Sequence, residues 1–149
     1  MAQELGVAQP PRVPVDASVL YERDFGRDDL GAVRTAVAHL AGTHGLIERA
    51  RFNFILVINE LTTNVIRHGG GRGCVRLWHH GDDLWCEVTD TGPGIPAAPL
   101  HRMGEPVPRP RGHGLWLTRH ICADVHIDTG RQGTRILLRY PLPAPESSS

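Results

Sequence analysis

The chain has 149 residues, about 40% hydrophobic and 21% charged, which suits one compact globular domain with a single core. Its 16 basic and 16 acidic side chains cancel, so no electrostatic footprint argues for nucleic acid or an anionic membrane. Every basic residue is arginine, which excludes a lysine-dependent mechanism, and no apolar run approaches the roughly 18 residues needed to span a bilayer.

Residues 1–14 are proline-rich and aperiodic, as is the segment 143–149, so the ordered domain is expected over 15–142. "ASVLYERDF" (17–25) alternates as a strand does. Asp28 or Asp29 can cap a helix to about Ala41, with Leu30, Val33, Val37 and Leu40 on one stripe. A second helix is predicted from about Ile47 to Arg67. Its core stripe is Phe54, Ile55, Ile58, Leu61 and Val65, and Asn53, Leu56, Glu60, Thr63, Asn64 and Arg67 lie on the near side. "HGGGRG" stops it.

"CVRLWHH" and "LWCEVTD" read as two strands around Gly81-Asp82-Asp83, with Val75, Leu77, Leu84, Cys86 and Val88 facing the helices. Trp78 and Trp85 alternate away from that face, which fits either cross-strand packing or a partner or dimer surface. After an irregular connection, "GLWLTRHICADV" has helical spacing through Leu115, Leu117, Ile121 and Val125. "HIDTGRQGTRILLRYPL" closes as a hairpin near Gly130 to Gly133. This order predicts an α+β fold: a two-layer sandwich with a mixed, mostly antiparallel sheet and helices on one face. Neither a Walker-type G-x-x-x-x-G-K-[ST] loop nor a Gly-rich turn after a first strand is present. Cys74, Cys86 and Cys122 lack zinc or disulfide spacing, and the nine histidines show no ligand pattern. A reducing cytoplasm is the expected compartment.

Three segments carry chemistry. Glu60 and Asn64 are four apart and share a helix face, with Arg67 one turn on; alone, this triple also fits a solvated face. Asp90-Thr91-Gly92-Pro93-Gly94-Ile95 follows a strand directly. Gly112-His113-Gly114-Leu115 opens a helix after the proline-rich stretch from Ala97 to Arg111.

Taken in this order, "NELTTNVIRHG", "VTDTGPGIP", "RGHGLWL" and the closing "GTRI" resemble the ATP-binding domain shared by DNA gyrase B, ninety-kilodalton heat-shock chaperones, sensor histidine kinases and MutL mismatch-repair proteins. Within that group the likeness is greatest to the small bacterial anti-sigma factor serine kinases. The resemblance covers roughly residues 15–142. It implies ATP and Mg2+ as cofactors, with Asn64 supplying a metal-ligand oxygen, as the hard, oxygen-loving cation requires.

Glu60, on the same side, can accept the proton of an attacking hydroxyl as general base. Arg67 stands where sensor kinases often carry a basic residue facing phosphate. Asp90 can accept from the adenine amino group and would repel a guanine carbonyl. Gly92 and Gly94 leave room for the purine beside Ile95, and Thr134 holds the adenine edge. Gly112, His113, Gly114 and Leu115 place backbone N–H groups at a helix start, where phosphate is favoured. Arg109 and Arg111, in the lid, can reach phosphate or stay solvated. The chain departs from the pattern at Thr63, where alanine is common, and in its short lid.

The function implied is a regulatory serine/threonine kinase that phosphorylates an antagonist protein and sequesters a sigma factor, with a homodimer possible and neither nucleic acid nor membrane bound directly. The alternatives are a nucleotide-dependent binding switch without phosphotransfer, or a detached sensor histidine kinase catalytic domain.

Overall fold

The computed structural model describes residues 12–92, 122 and 124–143. Five strands form one sheet: β1 (Ser18–Phe25), β2 (Gly73–His80), β3 (Asp83–Asp90), β4 (Asp124–Gly130) and β5 (Gly133–Pro141). Two helices, α1 (Leu30–Thr43) and α2 (Glu48–His68), lie between β1 and β2 in the chain. The spatial order is β1-β2-β3-β5-β4 and each pairing among the described residues is antiparallel. The fold is therefore α+β with both helices on one face, and no parallel pair is present among these residues.

Alternation decides which side of the sheet the helices cover. Val75 and Leu77 on β2, Leu84, Cys86 and Val88 on β3, and Ile136 and Leu138 on β5 are buried toward them. The helices contribute Val33, Val37 and Ala41 from α1, and Phe54, Val57, Ile58, Leu61 and Val65 from α2. Ile55, expected in the core stripe, is half-buried against the core, and Val57 is wholly buried in addition. Burial pushes the Cys122 thiol up to about 12 and holds the Cys86 thiol well above its ordinary value, so neither is a ready nucleophile.

Three local expectations change. Asp29 does not cap α1 through its side chain. A 3-10 turn over Arg27–Asp29 turns its carboxylate backward, where Oδ2 accepts the Gly26 N–H at 2.8 Å and Oδ1 accepts from Arg23 at 2.9 Å. Helix α1 runs on to Thr43, past Ala41. Asp124 and Val125, read as the end of a third helix, instead open β4, because their cross-strand partners on β5 are Arg139 and Leu138. The rest of that expected helix, with Leu115, Leu117 and Ile121, lies outside the described residues.

The other face of the sheet is polar but closed. Across β1, β2, β3 and β5 charges alternate in sign: Arg76 donates to Glu22 at 3.0 Å and stands 3.9 Å from Glu87, which also accepts from Arg135 Nε. Arg139 bridges Asp124 at 2.7 Å and Asp83 at 3.3 Å. Leu137, in register with Glu87, has no exposed surface despite facing away from the helices. Trp85 pairs across the strands with Trp78 and is only 7% exposed. Its surface is already used inside the chain, as cross-strand packing requires. No helix among the described residues is long and apolar enough to cross a membrane.

Phe52 and Phe54 make a direct test of the layer. Phe54 is wholly buried with its ring edge-on to Tyr140 at 5.3 Å, whereas Phe52 is 63% exposed. In urea unfolding, Phe54→Ala is expected to cost about 3–5 kcal/mol and Phe52→Ala within about 0.5 kcal/mol.

Asp29 gives a pH test. The Gly26 N–H and then Arg23 hold its carboxyl below the ordinary 3.8. A depressed folded value stabilises above 3.8, and that contribution fades as pH falls through the lowered value. Asp29→Ala should therefore lower the unfolding midpoint at pH 7, and the gap from wild type should narrow below pH 3.8.

Candidate nucleotide site

Helix α2 is fixed on two sides. Arg34 of α1 donates to Asn59 Oδ1 at 3.2 Å, and Arg51 of α2 donates to the Ala38 carbonyl at 3.1 Å. These contacts set α1 on one flank, while the apolar stripe faces the sheet. A helix turns about 100° per residue, so Glu60 and Asn64 project well around from Asn59, on the flank that α1 leaves open. Both are half-buried, and neither has a hydrogen-bond or ion-pair partner among the described residues. Arg67, a turn further on, is exposed.

The helix ends against β3. Gly69 and Gly71 N–H both return to the Val65 carbonyl, at 2.8 and 3.2 Å. A Cβ on Gly69 would lie 2.5 Å from Asp90 Oδ2 and 3.0 Å from the Val65 Cα, so only glycine lets the end of α2 touch that carboxylate. A Cβ on Gly92 would fall 2.4 Å from the Gly69 carbonyl carbon. Gly133, in the left-handed region at φ 134°, would place one 2.0 Å from the Asp90 carbonyl oxygen.

Asp90 sits at the centre of these approaches. Its Oδ1 accepts the Gly92 N–H at 2.9 Å and the Thr134 N–H at 3.2 Å. The Thr134 hydroxyl in turn pairs with the Thr129 hydroxyl at 2.8 Å. Oδ2 has no hydrogen-bond partner among the described residues and can only accept. A cavity of about 410 Å³ lies at this end of the sheet, lined by Asp90, Thr129, Thr134 and the β4–β5 turn together with Thr89, Asp128 and Arg135 of the face away from the helices. Gly69 follows Asn64 by five residues, about 7.5 Å along the helix axis. The arrangement thus has one end built to accept an amino group and another, along α2, bearing unpaired oxygens.

The structure brings Asp90, Gly92 and Thr134 together and places Glu60 and Asn64, both half-buried, on the side of α2 away from α1. Gly94, Ile95, Arg109, Arg111, Gly112, His113, Gly114 and Leu115 lie outside the described residues. Three contributors escaped the sequence reading: Gly69, taken as a helix stop, Gly133, taken as a turn residue, and Thr129. Only the run "HGGG" and the turn glycine hinted at them.

The residues fit the groups that the motifs imply. Oδ2 of Asp90 in its glycine cradle suits an exocyclic amine on a flat ring. Asn64 offers a hard oxygen of the kind that Mg2+ takes. Among the described residues no cluster of His, Cys, Asp and Glu could hold a metal without help, so a cation at Asn64 would take its other ligands from phosphate and water.

Residues 51–144 match the model of the histidine kinase-, DNA gyrase B-, and HSP90-like ATPase family, more than half of the chain. The chain belongs to this family. It is an ATP-binding domain of that kind, and domains of this family usually bind their nucleotide with Mg2+. Solved structures similar to this ATPase domain include the Acinetobacter baumannii histidine kinase AdeS (TM-score 0.52, 14% identity, 84% of this chain and 69% of that one). The histidine kinase domain of the E. coli osmosensor EnvZ is another (TM-score 0.50, 14% identity, 91% and 97%). So is the histidine kinase domain of the Erythrobacter litoralis EL346 blue-light activated kinase (TM-score 0.49, 24% identity), of which the chain spans 63% while 76% of its own length is covered. At 14% identity the likeness to AdeS and EnvZ shows the fold alone. Among curated proteins none matches the sequence.

Gly133 and Gly130 flank the same turn and separate the two demands. Gly133→Ala meets both a left-handed φ and a backbone collision and is expected to cost more than about 1 kcal/mol and to weaken ADP binding in calorimetry. A Cβ on Gly130 meets nothing within 4 Å, so Gly130→Ala should stay within about 0.5 kcal/mol of wild type and keep its ADP affinity.

Proposed function

We propose that this ATPase domain is a regulatory serine/threonine protein kinase of the anti-sigma type, transferring the γ-phosphate of ATP to a hydroxyl of an antagonist protein. The observation that carries the reading is Oδ2 of Asp90, which has no hydrogen-bond partner among the described residues and lies against Gly69 at the end of α2, the helix that bears Asn64 and Glu60 on its side away from α1. Adenine bound at Asp90 and Thr134 would direct its phosphates along that flank. Asn64 would supply one oxygen to Mg2+, which neutralises charge on the phosphates when bound. Glu60, one turn away, would accept the hydroxyl proton of the substrate serine or threonine. Arg67 is exposed beside them, available to phosphate. Gly94, Ile95, Arg111 and the Gly112–Leu115 segment would complete the purine and phosphate contacts. The motif strings, closest to those of anti-sigma kinases, support an antagonist protein or a sigma factor as partner and a cytoplasmic setting.

The competing reading is a binding switch that holds nucleotide and docks a partner without transfer. It draws on Glu60 itself, which has no partner among the described residues to orient it as a base.

Phosphoserine formation on antagonist-like proteins encoded in the same genome, measured beside ATP affinity, tests both. Asp90→Asn should weaken ATP binding by about 5- to 150-fold, because the amide offers N–H toward the adenine amino group, a mismatch worth about 1–3 kcal/mol. Glu60→Ala should keep ATP affinity within about threefold and lower phosphotransfer by about 10²- to 10⁴-fold. Undiminished transfer in Glu60→Ala removes Glu60 from the mechanism, and no transfer by the wild type to any such protein favours the switch.

A further inference from the structure

Asp90, Thr134 and Thr129 stand side by side across three strands. Thr134 of β5 is in register with Asp90 of β3 on one side and with Thr129 of β4 on the other. Alternation from the core residues Val88 and Ile136, and from Ile127 beside them, puts all three on the sheet face toward the helices. All three line the cavity at this end of the sheet. Asp90 Oδ1 is taken by the Gly92 and Thr134 N–H groups, which leaves Oδ2 for a ligand amine. Thr134 is only 6% exposed, and its hydroxyl pairs with that of Thr129 at 2.8 Å.

A single carboxylate oxygen is a poor judge of purines. It accepts an amine, and adenine and guanine each carry one. The atom beside the amine tells them apart. The 6-amino group of adenine is flanked by two bare ring nitrogens, N1 and N7. The 2-amino group of guanine has the N1–H on its open side, and its N3 side is crowded by the sugar. A group next to Asp90 that donates therefore selects adenine, and one that accepts selects guanine. A threonine hydroxyl can do either, because it carries one proton and two lone pairs and turns about its C–O bond. Its neighbour fixes the sense. When Thr129 donates to the Thr134 oxygen, the Thr134 proton is left to point at the ligand.

We infer that Thr129 is a positioning residue for base selection: its hydroxyl donates to Thr134, so that Thr134 donates to the ring nitrogen beside the amine held by Asp90. Thr129 acts through Thr134 and not on the base itself. The inference rests on the reading of Asp90 and Thr134 as the adenine end of the site. A cross-strand threonine pair also supports a sheet, but that role is indifferent to which base is bound, and a directed pair of hydroxyls is not.

The test uses the full chain as wild type, Thr129→Val, Thr129→Ala, Thr129→Ser, Thr134→Val and Asp90→Asn, at a temperature where circular dichroism shows each folded. Calorimetry gives affinities for ADP, GDP, 1-deaza-ADP and 7-deaza-ADP; each deaza compound keeps the amine and puts C–H in place of one ring nitrogen. In the wild type one of the two analogues should bind about 3- to 10-fold more weakly than ADP, which names the nitrogen that Thr134 reads. Thr129→Val should weaken ADP by about that factor and leave the same analogue nearly unchanged, so that the gap closes. The ADP-over-GDP preference should narrow with it. Thr134→Val should close the gap as well. Thr129→Ser keeps the hydroxyl and should hold ADP affinity and the gap within about twofold of wild type. A gap that persists in folded Thr129→Val overturns the inference, as does its closure in Thr129→Ser or its absence for both analogues in the wild type. Thr129→Ala decides should Thr129→Val not fold. Wild-type ADP affinity in Asp90→Asn, or no ADP binding by the wild type, overturns the adenine reading and the inference with it. A persistent gap in Thr129→Val, with Asp90→Asn binding weakly, overturns the inference alone.

Discussion

The contact on which the rest of the site depends is that of one carboxylate with backbone. Asp90 Oδ1 draws in the N–H groups of Gly92 and Thr134, from its own loop and from a neighbouring strand, while Oδ2 faces the terminus of α2 across Gly69. A carboxylate accepting backbone N–H bonds is oriented as firmly as a side chain can be, because neither donor can rotate away. Glycine at 69, 92 and 133 is what allows a helix end, a loop and a hairpin to converge on the same few atoms. The helix is thereby tied to the strand, and Asn64 and Glu60 inherit their place from that joint.

The sheet is asymmetric in how it holds together. Its helix side is a conventional apolar layer in which Phe54, Leu61, Leu77 and Leu138 exclude water. Its other side is a lattice of arginines and carboxylates laid over Leu137 and Trp85. One face therefore supplies most of the driving force, while the other carries half-exposed ion pairs such as Arg76–Glu22 and Arg139–Asp124.

Much of this was legible from local pattern. Helix α2 runs one residue off the span read from its periodicity, at either end, and the two hairpins close where Gly-Asp and Gly-Arg-Gln-Gly suggested. The motif strings pointed to Asp90, Gly92 and Thr134, which the fold gathers at one place. What local pattern could not carry was long-range. Val125 satisfies a helical spacing behind it and an alternation ahead of it, and only its pairing with Leu138 resolves the two. Asp29 has the composition of a cap, but Arg23 and Gly26 compete for its oxygens. The role of Gly69 depends on Asp90, twenty-one positions on, and the burial of Glu87 depends on an arginine from another strand; neither has a period to detect.

The uneven spacing of the strand pairings also orders the assembly of the molecule. Two pairings close over two-residue loops and form at the cost of little chain entropy. The joints of β1 with β2 and of β3 with β5 must wait for long stretches of chain to be gathered in, which is the slow part of making such a topology. The Asp90–Thr134 contact lies across the second of these late joints. A ligand spanning Asp90 and Thr134 would then act on a seam that forms late and parts early, slowing its opening more than it hastens its closure. The Thr134 amide, whose proton is given to Asp90, would register that in its rate of hydrogen exchange.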